Sequence, residues 1–194
     1  MGNANWWADR TSLPKRGFRF LVQIQINNED LTFMAKSVDR PEFTITTTPH
    51  KFFNHTFHYP GRVEWNTISL TLVDAMNPNG SEALYKYLGQ IGWVTPLKAA
   101  RTQDEGDQAG VVSTDLTDTS VTKKRATGAT GVVRIQEIDG DGDVGGEWIL
   151  KNTFITTANF GQHSYESEDL LEVSLTLQYD WAEYKKLKQY PVTT

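Results

Sequence analysis

Leu171-Glu172-Val173-Ser174-Leu175-Thr176-Leu177-Gln178-Tyr179-Asp180-Trp181 is the stretch that decides the fold. Leu171, Val173, Leu175, Leu177, Tyr179 and Trp181 fall on one side of an extended chain, and Glu172, Ser174, Thr176, Gln178 and Asp180 on the other. Side chains of a strand alternate between its faces, so the run reads as a half-buried β-strand. The same period recurs upstream. Phe18, Phe20, Val22, Ile24 and Ile26 oppose Arg19, Gln23 and Gln25, while Ile68, Leu70 and Leu72 alternate with Thr67, Ser69 and Thr71 within 64–73. The turn cluster Asn27-Asn28-Glu29-Asp30 predicts a hairpin between the 18–26 strand and a second strand over 31–38.

Shorter extended runs are expected at 43–48, bounded by Pro41 and Pro49, and at 50–59, with a turn at Pro60-Gly61. Two more follow at 131–138 and 147–157. Ala83, Leu84, Tyr87, Leu88 and Ile91 recur at helical spacing, which predicts one helix over 81–91. Asn77-Pro78-Asn79-Gly80-Ser81 offers its start and Gly92 its end. The expected architecture is mainly β: an antiparallel sandwich or partly closed barrel with one packed α-helix.

The 194 residues include six Trp, seven Tyr and nine Phe, enough large side chains to fill a core, and no Cys. Lack of cysteine excludes disulfides, a thiolate nucleophile and Cys-ligated metal. A net charge of −5 argues against nucleic-acid binding through a basic face. Within 101–147 ten acids face five bases and no aromatic residue occurs, while the rest of the chain is balanced. The stretch of about 101–130 therefore reads as a polar excursion from the domain, with Lys123-Lys124-Arg125 as a solvated loop tip. No apolar run reaches the length of a membrane span, and the start of the chain lacks the pattern of a signal peptide, so a soluble protein made in the cytoplasm is expected. The expected organisation is an arm over 1–16, a β domain over 17–181 interrupted at about 101–130, and a basic tail over 182–194.

Candidate chemistry is sparse. Asp139-Gly140-Asp141-Gly142-Asp143 has the alternate carboxylates of a calcium loop, but Val144 and Leu150 stand where an EF-hand has Gly and Glu. A hairpin tip with solvated acids explains the same residues. His50, His55 and His58 are close in sequence, yet strand parity separates His55 from the others. Glu166, Glu168 and Asp169 read as a solvated loop rather than a glycosidase pair. No nucleophile elbow or phosphate-binding loop is present, so no catalytic residue, metal site or cofactor is assigned. Trp6 and Trp7 either fold back on the domain or anchor another subunit. What is left is a sheet protein with much polar strand surface and unpaired edges, which suits association through those edges.

Three stretches together resemble the inner tail tube protein of contractile-tailed bacteriophages. They are Gly17-Phe18-Arg19-Phe20-Leu21-Val22-Gln23-Ile24 with the 31–41 segment, the 55–72 segment from His55-Thr56-Phe57-His58-Tyr59-Pro60-Gly61 onward, and the closing 172–181 strand. The resemblance implies a structural, non-enzymatic protein of the virion tail, assembled in the host cytoplasm as stacked hexameric rings. Sheets of neighbouring subunits would join into one large barrel, with DNA passing through unbound. Tail sheath, baseplate and tail-terminator proteins would be its partners. The 39–62 segment matches the family's projecting loop, which makes Asp39, Arg40, Pro41, Phe53, His55 and Arg62 candidates for contact between rings. Gln23, Gln25, Ser174, Thr176 and Gln178 are candidates for the lumen, with the choice of face open. The alternatives are the tube of a phage-derived contractile injection or secretion particle and, in a different class, a calcium-dependent sugar-binding β-sandwich.

Overall fold

A computed structural model describes residues 14–26, 29–93, 120–166 and 168–187. In chain order the elements are β1 (Phe20–Gln23), β2 (Gln25–Ile26), β3 (Glu29–Asp30), a 3-10 turn (Thr32–Met34), β4 (Ala35–Val38), β5 (Phe43–Phe52), β6 (His55–Trp65), β7 (Ile68–Val73), α1 (Gly80–Gln90), α2 (Lys123–Thr130), β8 (Val133–Ile138), β9 (Val144–Lys151), β10 (Phe154–Asn159), β11 (Glu172–Gln178) and β12 (Trp181–Lys186). Two four-stranded antiparallel sheets result, in the orders β1-β8-β9-β12 and β10-β11-β7-β4. Their inner faces share one core. Val22, Val133, Ile135 and Leu150 come from the first sheet, and Ile68, Leu70, Leu72, Val173, Leu175 and Leu177 from the second, all buried. The mainly β sandwich read from the alternation is thus the fold observed.

The helix expected over 81–91 runs Gly80–Gln90. Asn79 caps it by accepting a hydrogen bond from the Glu82 N–H, and Ala83, Leu84 and Tyr87 turn into the core. A second helix was not foreseen. The triplet read as a loop tip opens α2, capped by Thr122, with Ala126 and Thr130 buried against the domain. Ala126 and Thr130 are one helical turn apart, a weak apolar signal that the flanking Lys and Thr residues mask. The Tyr87 hydroxyl lies between the two helices and β10, 3.5 Å from the Thr130 hydroxyl and accepting the Ile155 N–H at 3.2 Å. Tyr87→Phe leaves that backbone N–H without its acceptor and is expected to cost about 1–2 kcal/mol. A chemical-denaturation midpoint equal to wild type would refute this role.

The expected hairpin between 18–26 and 31–38 does not form. β1 pairs with β8, and β4 pairs with β7 in the opposite sheet. Leu31 and Met34 are both buried and three residues apart, which fits a 3-10 turn and not a straight strand. That turn and the small β2–β3 ladder carry the chain from one sheet to the other.

Two expected strands also divide. The 147–157 run breaks at Asn152, which has a φ of 55°, and continues as β10 in the other sheet. The 171–181 run breaks at Asp180, so Trp181 begins β12 and is exposed rather than inward. Residues 182–186, expected in a tail, complete that edge strand. Both breaks meet at one corner, where the Asn152 amide and the Lys123 ammonium each donate to Asp180 at 2.7 Å. The hydrogen bonds from Lys123 and then Asn152 hold the Asp180 carboxyl below its usual pKa. A depressed carboxyl stabilises the fold above the ordinary aspartate range, and the contribution disappears as pH falls through the folded pKa. Lys123→Ala is therefore expected to shift the Asp180 titration upward when followed by carboxyl NMR; an unmoved midpoint would count against the pair.

Candidate functional site

β5 and β6 form a hairpin that leaves the sandwich. They pair from Phe43 opposite Trp65 to Phe52 opposite His55, with the turn at Phe53 and Asn54. Ten residues of strand reach about 30 Å from base to tip. Every residue from 43 to 64 is exposed. Phe43, Ile45, Phe52, Phe53, Phe57, Tyr59 and Val63 all lie open, with Phe53 at 90%. An isolated two-stranded hairpin is marginal in water, and so large an apolar surface on one arm signals a partner.

Local chemistry explains the shape. The expected turn at Pro60-Gly61 is instead a register slip opposite Thr46. A Cβ on Gly61 would stand 2.4 Å from the Thr46 hydroxyl, and that hydroxyl accepts the Arg62 N–H at 3.0 Å. Pro49 sits within β5, which is tolerable because each strand of the arm has one free side. At the base Trp65 packs edge-on against Phe43, with centroids 5.5 Å apart, and lies 6.0 Å from Tyr179.

The candidates for contact between rings divide along this arm. Phe53 is at the tip, His55 beside it, and Arg62 nearer the base. Pro41 precedes β5. Asp39 and Arg40 are tied to the sandwich: the Asp39 carboxylate accepts the Ser69 N–H at 3.1 Å, and Arg40 pairs with Glu137 at 2.8 Å.

The lumen candidates lie on opposite sides of the molecule. Ser174, Thr176 and Gln178 belong to the outer face of the second sheet; Gln23 points outward from the first, and Gln25 follows it on β2. The second sheet's outer face joins Ser37 with Thr71, Ser174 and Asn159 in one row, and Ser69 with Thr176 and Thr157 in the next. These rows carry no charge, and the adjoining row on the same face holds the Lys36–Glu172 ion pair. The first sheet's outer face has Arg134 beside Glu147 and Lys151 beside Glu183, each pair at 3.5 Å. Its edge strand β12 is exposed except at Ala182.

At the end of the second sheet away from the arm, residues 160–171 join β10 to β11. Phe160, Tyr165 and Leu170 are exposed there beside Glu166, Glu168 and Asp169. The sequence reading saw only the acids, because the apolar residues follow no period; their presence in a polar loop was the available signal.

Other candidates lead to no chemistry. An open cleft of about 910 Å³ between β1 and β4 is lined by Lys15, Arg16, Arg19, Lys36 and Arg40, with Glu137 and Phe18. Burial works to lower the Lys15 pKa, but hydrogen bonds to Glu137 and Tyr184 outweigh it and the net direction is upward. In the 139–143 turn, Asp139 uses one carboxylate oxygen to accept the N–H groups of Asp141 and Asp143, both at 2.9 Å. Among the described residues no group of three or more His, Asp or Glu side chains could hold a metal ion. Trp6 and Trp7 lie outside the described residues, as does 101–119.

No protein-family model matches the chain, and no curated protein matches its sequence. Solved structures do. A chain of the anti-feeding prophage baseplate, solved with six-fold symmetrisation, superposes with a TM-score of 0.59 at 14% identity, over 92% of this chain and 99% of that one. A chain of the cap that terminates the anti-feeding prophage tube gives 0.59 at 16%, over 90% and 93%. One from the extended sheath–tube complex of the PVC extracellular contractile injection system gives 0.59 at 15%, over 96% and 99%. At such identities the likeness establishes a common fold.

Proposed function

We propose that this chain is a structural subunit that completes itself with further copies, forming six-membered rings that stack into the inner tube of a phage-derived contractile particle. The observation that carries the reading is the β5–β6 arm, whose exposed aromatic residues no part of the chain's described residues covers. The edge of β12, unpaired on its outer side among the described residues, offers a second joining surface, because an unpaired strand in a ring finds its partner in the next copy. The fold shared over nearly the full length with chains of contractile particles supports the same assembly. Those particles include an extracellular injection system, which favours an injection particle over a DNA-conducting tail. Sheath, baseplate and terminating proteins are its partners in this reading, and its place is the tail-like body of the particle.

The uncharged rows of the second sheet face the channel. Hydroxyl groups without net charge offer no ionic trap for a passing cargo of either sign, whereas fixed cations would hold a polyanion. The charged outer face of the first sheet then turns toward solvent and the sheath. Gln23 and Gln25, on that side, drop out of the lumen.

Negative-stain microscopy of the purified chain tests the assembly. Rings with six-fold averages, alone or stacked, are the expected result. A monomer at every concentration in sedimentation velocity, with no rings on the grid, would overturn it.

A further inference from the structure

Resting on the stacked-ring reading, we propose that the seat for the β5–β6 arm is the 160–171 loop of a copy in the adjacent ring. The two surfaces stand at opposite ends of one sheet. Ile68 pairs with Leu177 at the end where the arm leaves, and Val73 with Glu172 at the end where the loop returns. Copies stacked in one orientation therefore bring the arm of one to the loop of the next.

Their chemistry is complementary. From 43 to 65 the arm carries Lys51, Arg62 and three histidines against one acid, Glu64, which lies opposite Thr44 at its base. Between 160 and 171 the loop carries Glu166, Glu168 and Asp169, and no Lys or Arg. Lys36, paired with Glu172, stands at the loop's root. Each surface also presents aromatic or aliphatic groups that need covering: Phe52, Phe53 and Phe57 on the arm, Phe160, Tyr165 and Leu170 on the loop. Arm against arm would oppose cations, and loop against loop would oppose carboxylates, so the pattern rejects both self-pairings. The β1–β4 cleft is a poorer seat because Arg16 and Arg19 line it and would repel the arm, Lys15 and Arg40 there being paired with Glu137. A contact between two different patches on identical chains repeats head to tail, and between copies stacked in one orientation it does not close, which is what an extending stack requires.

Reversing the charge of the seat tests the contact. The full chain with Glu166→Lys, Glu168→Lys and Asp169→Lys is compared with wild type by circular dichroism, ring averages and tube length on the grid. The expected result is a folded chain that still forms rings, with tubes shortened roughly tenfold or more, because like charges brought face to face oppose docking strongly. Adding Lys51→Glu and Arg62→Glu to the same chain is expected to restore length. The arm-side pair alone should shorten tubes as the loop variant does, and it reads the same contact should the triple variant misfold. Tubes of wild-type length from folded single-side variants, or no recovery in the combined one, would overturn the seat while leaving the ring assembly standing. Failure of the wild-type chain to form rings would overturn both.

Discussion

With residues 44–64 replaced by a two-residue Asn-Gly turn, the chain is expected to fold, to melt close to wild type, and to lose its ability to stack. The excised side chains are exposed over their whole run, so no core area goes with them. Exposed positions contribute little one by one, and loop-closure entropy changes only slowly with loop length. Phe43 and Trp65 are kept because they pack on one another, with Trp65 also against Tyr179 at the arm's root. Asp39 and Arg40 are kept because Ser69 and Glu137 hold them. Calorimetry and electron microscopy of the same preparation separate the two effects. Long tubes from the shortened chain would sink the arm's role; a collapsed melting transition would mean that the arm supports the sandwich.

The paired change Ser174→Lys and Thr176→Lys should convert an inert channel into one that retains polyanions. Both residues lie in the uncharged rows facing away from the core, so the substitution burdens no buried position. Every ring would then carry a belt of cations, and the affinity of a cationic surface for nucleic acid falls steeply with salt. Assembled tubes of the variant are expected to hold short single-stranded DNA at low salt, protected from nuclease, and to release it as salt rises. Wild-type tubes should hold none. Bound DNA that nuclease digests freely would put these residues on the outside and assign the channel to the other sheet.

Periodicity made the sandwich readable but not its connectivity. Val22, Leu70 and Leu175 each sit in a clean alternation and each is buried. Alternation says which side of a strand faces the core, not which strand lies beside it, and so β1 and β4 were expected as partners when they belong to opposite sheets. Corners were harder still. Asn152 and Asp180 end strands by a single backbone step each, and their hydrogen bond joins residues far apart in sequence. The arm was legible as a segment and not as a shape: Pro49 and Pro60 read as breaks, yet a ladder with free outer sides accommodates both. The loop over 160–171 escaped notice as a surface because Phe160, Tyr165 and Leu170 follow no period, and only their presence among acids hinted at it.

A body with its aromatic limb at one extremity and an acidic landing at the other has a direction. Any column of such bodies ends in two unlike faces, one with naked limbs and one with vacant landings. A single kind of plug cannot finish both. If copies stack as proposed, the machinery that starts the column and the machinery that stops it are therefore chemically different, the first receptive to basic aromatic fingers and the second supplying them, or the reverse.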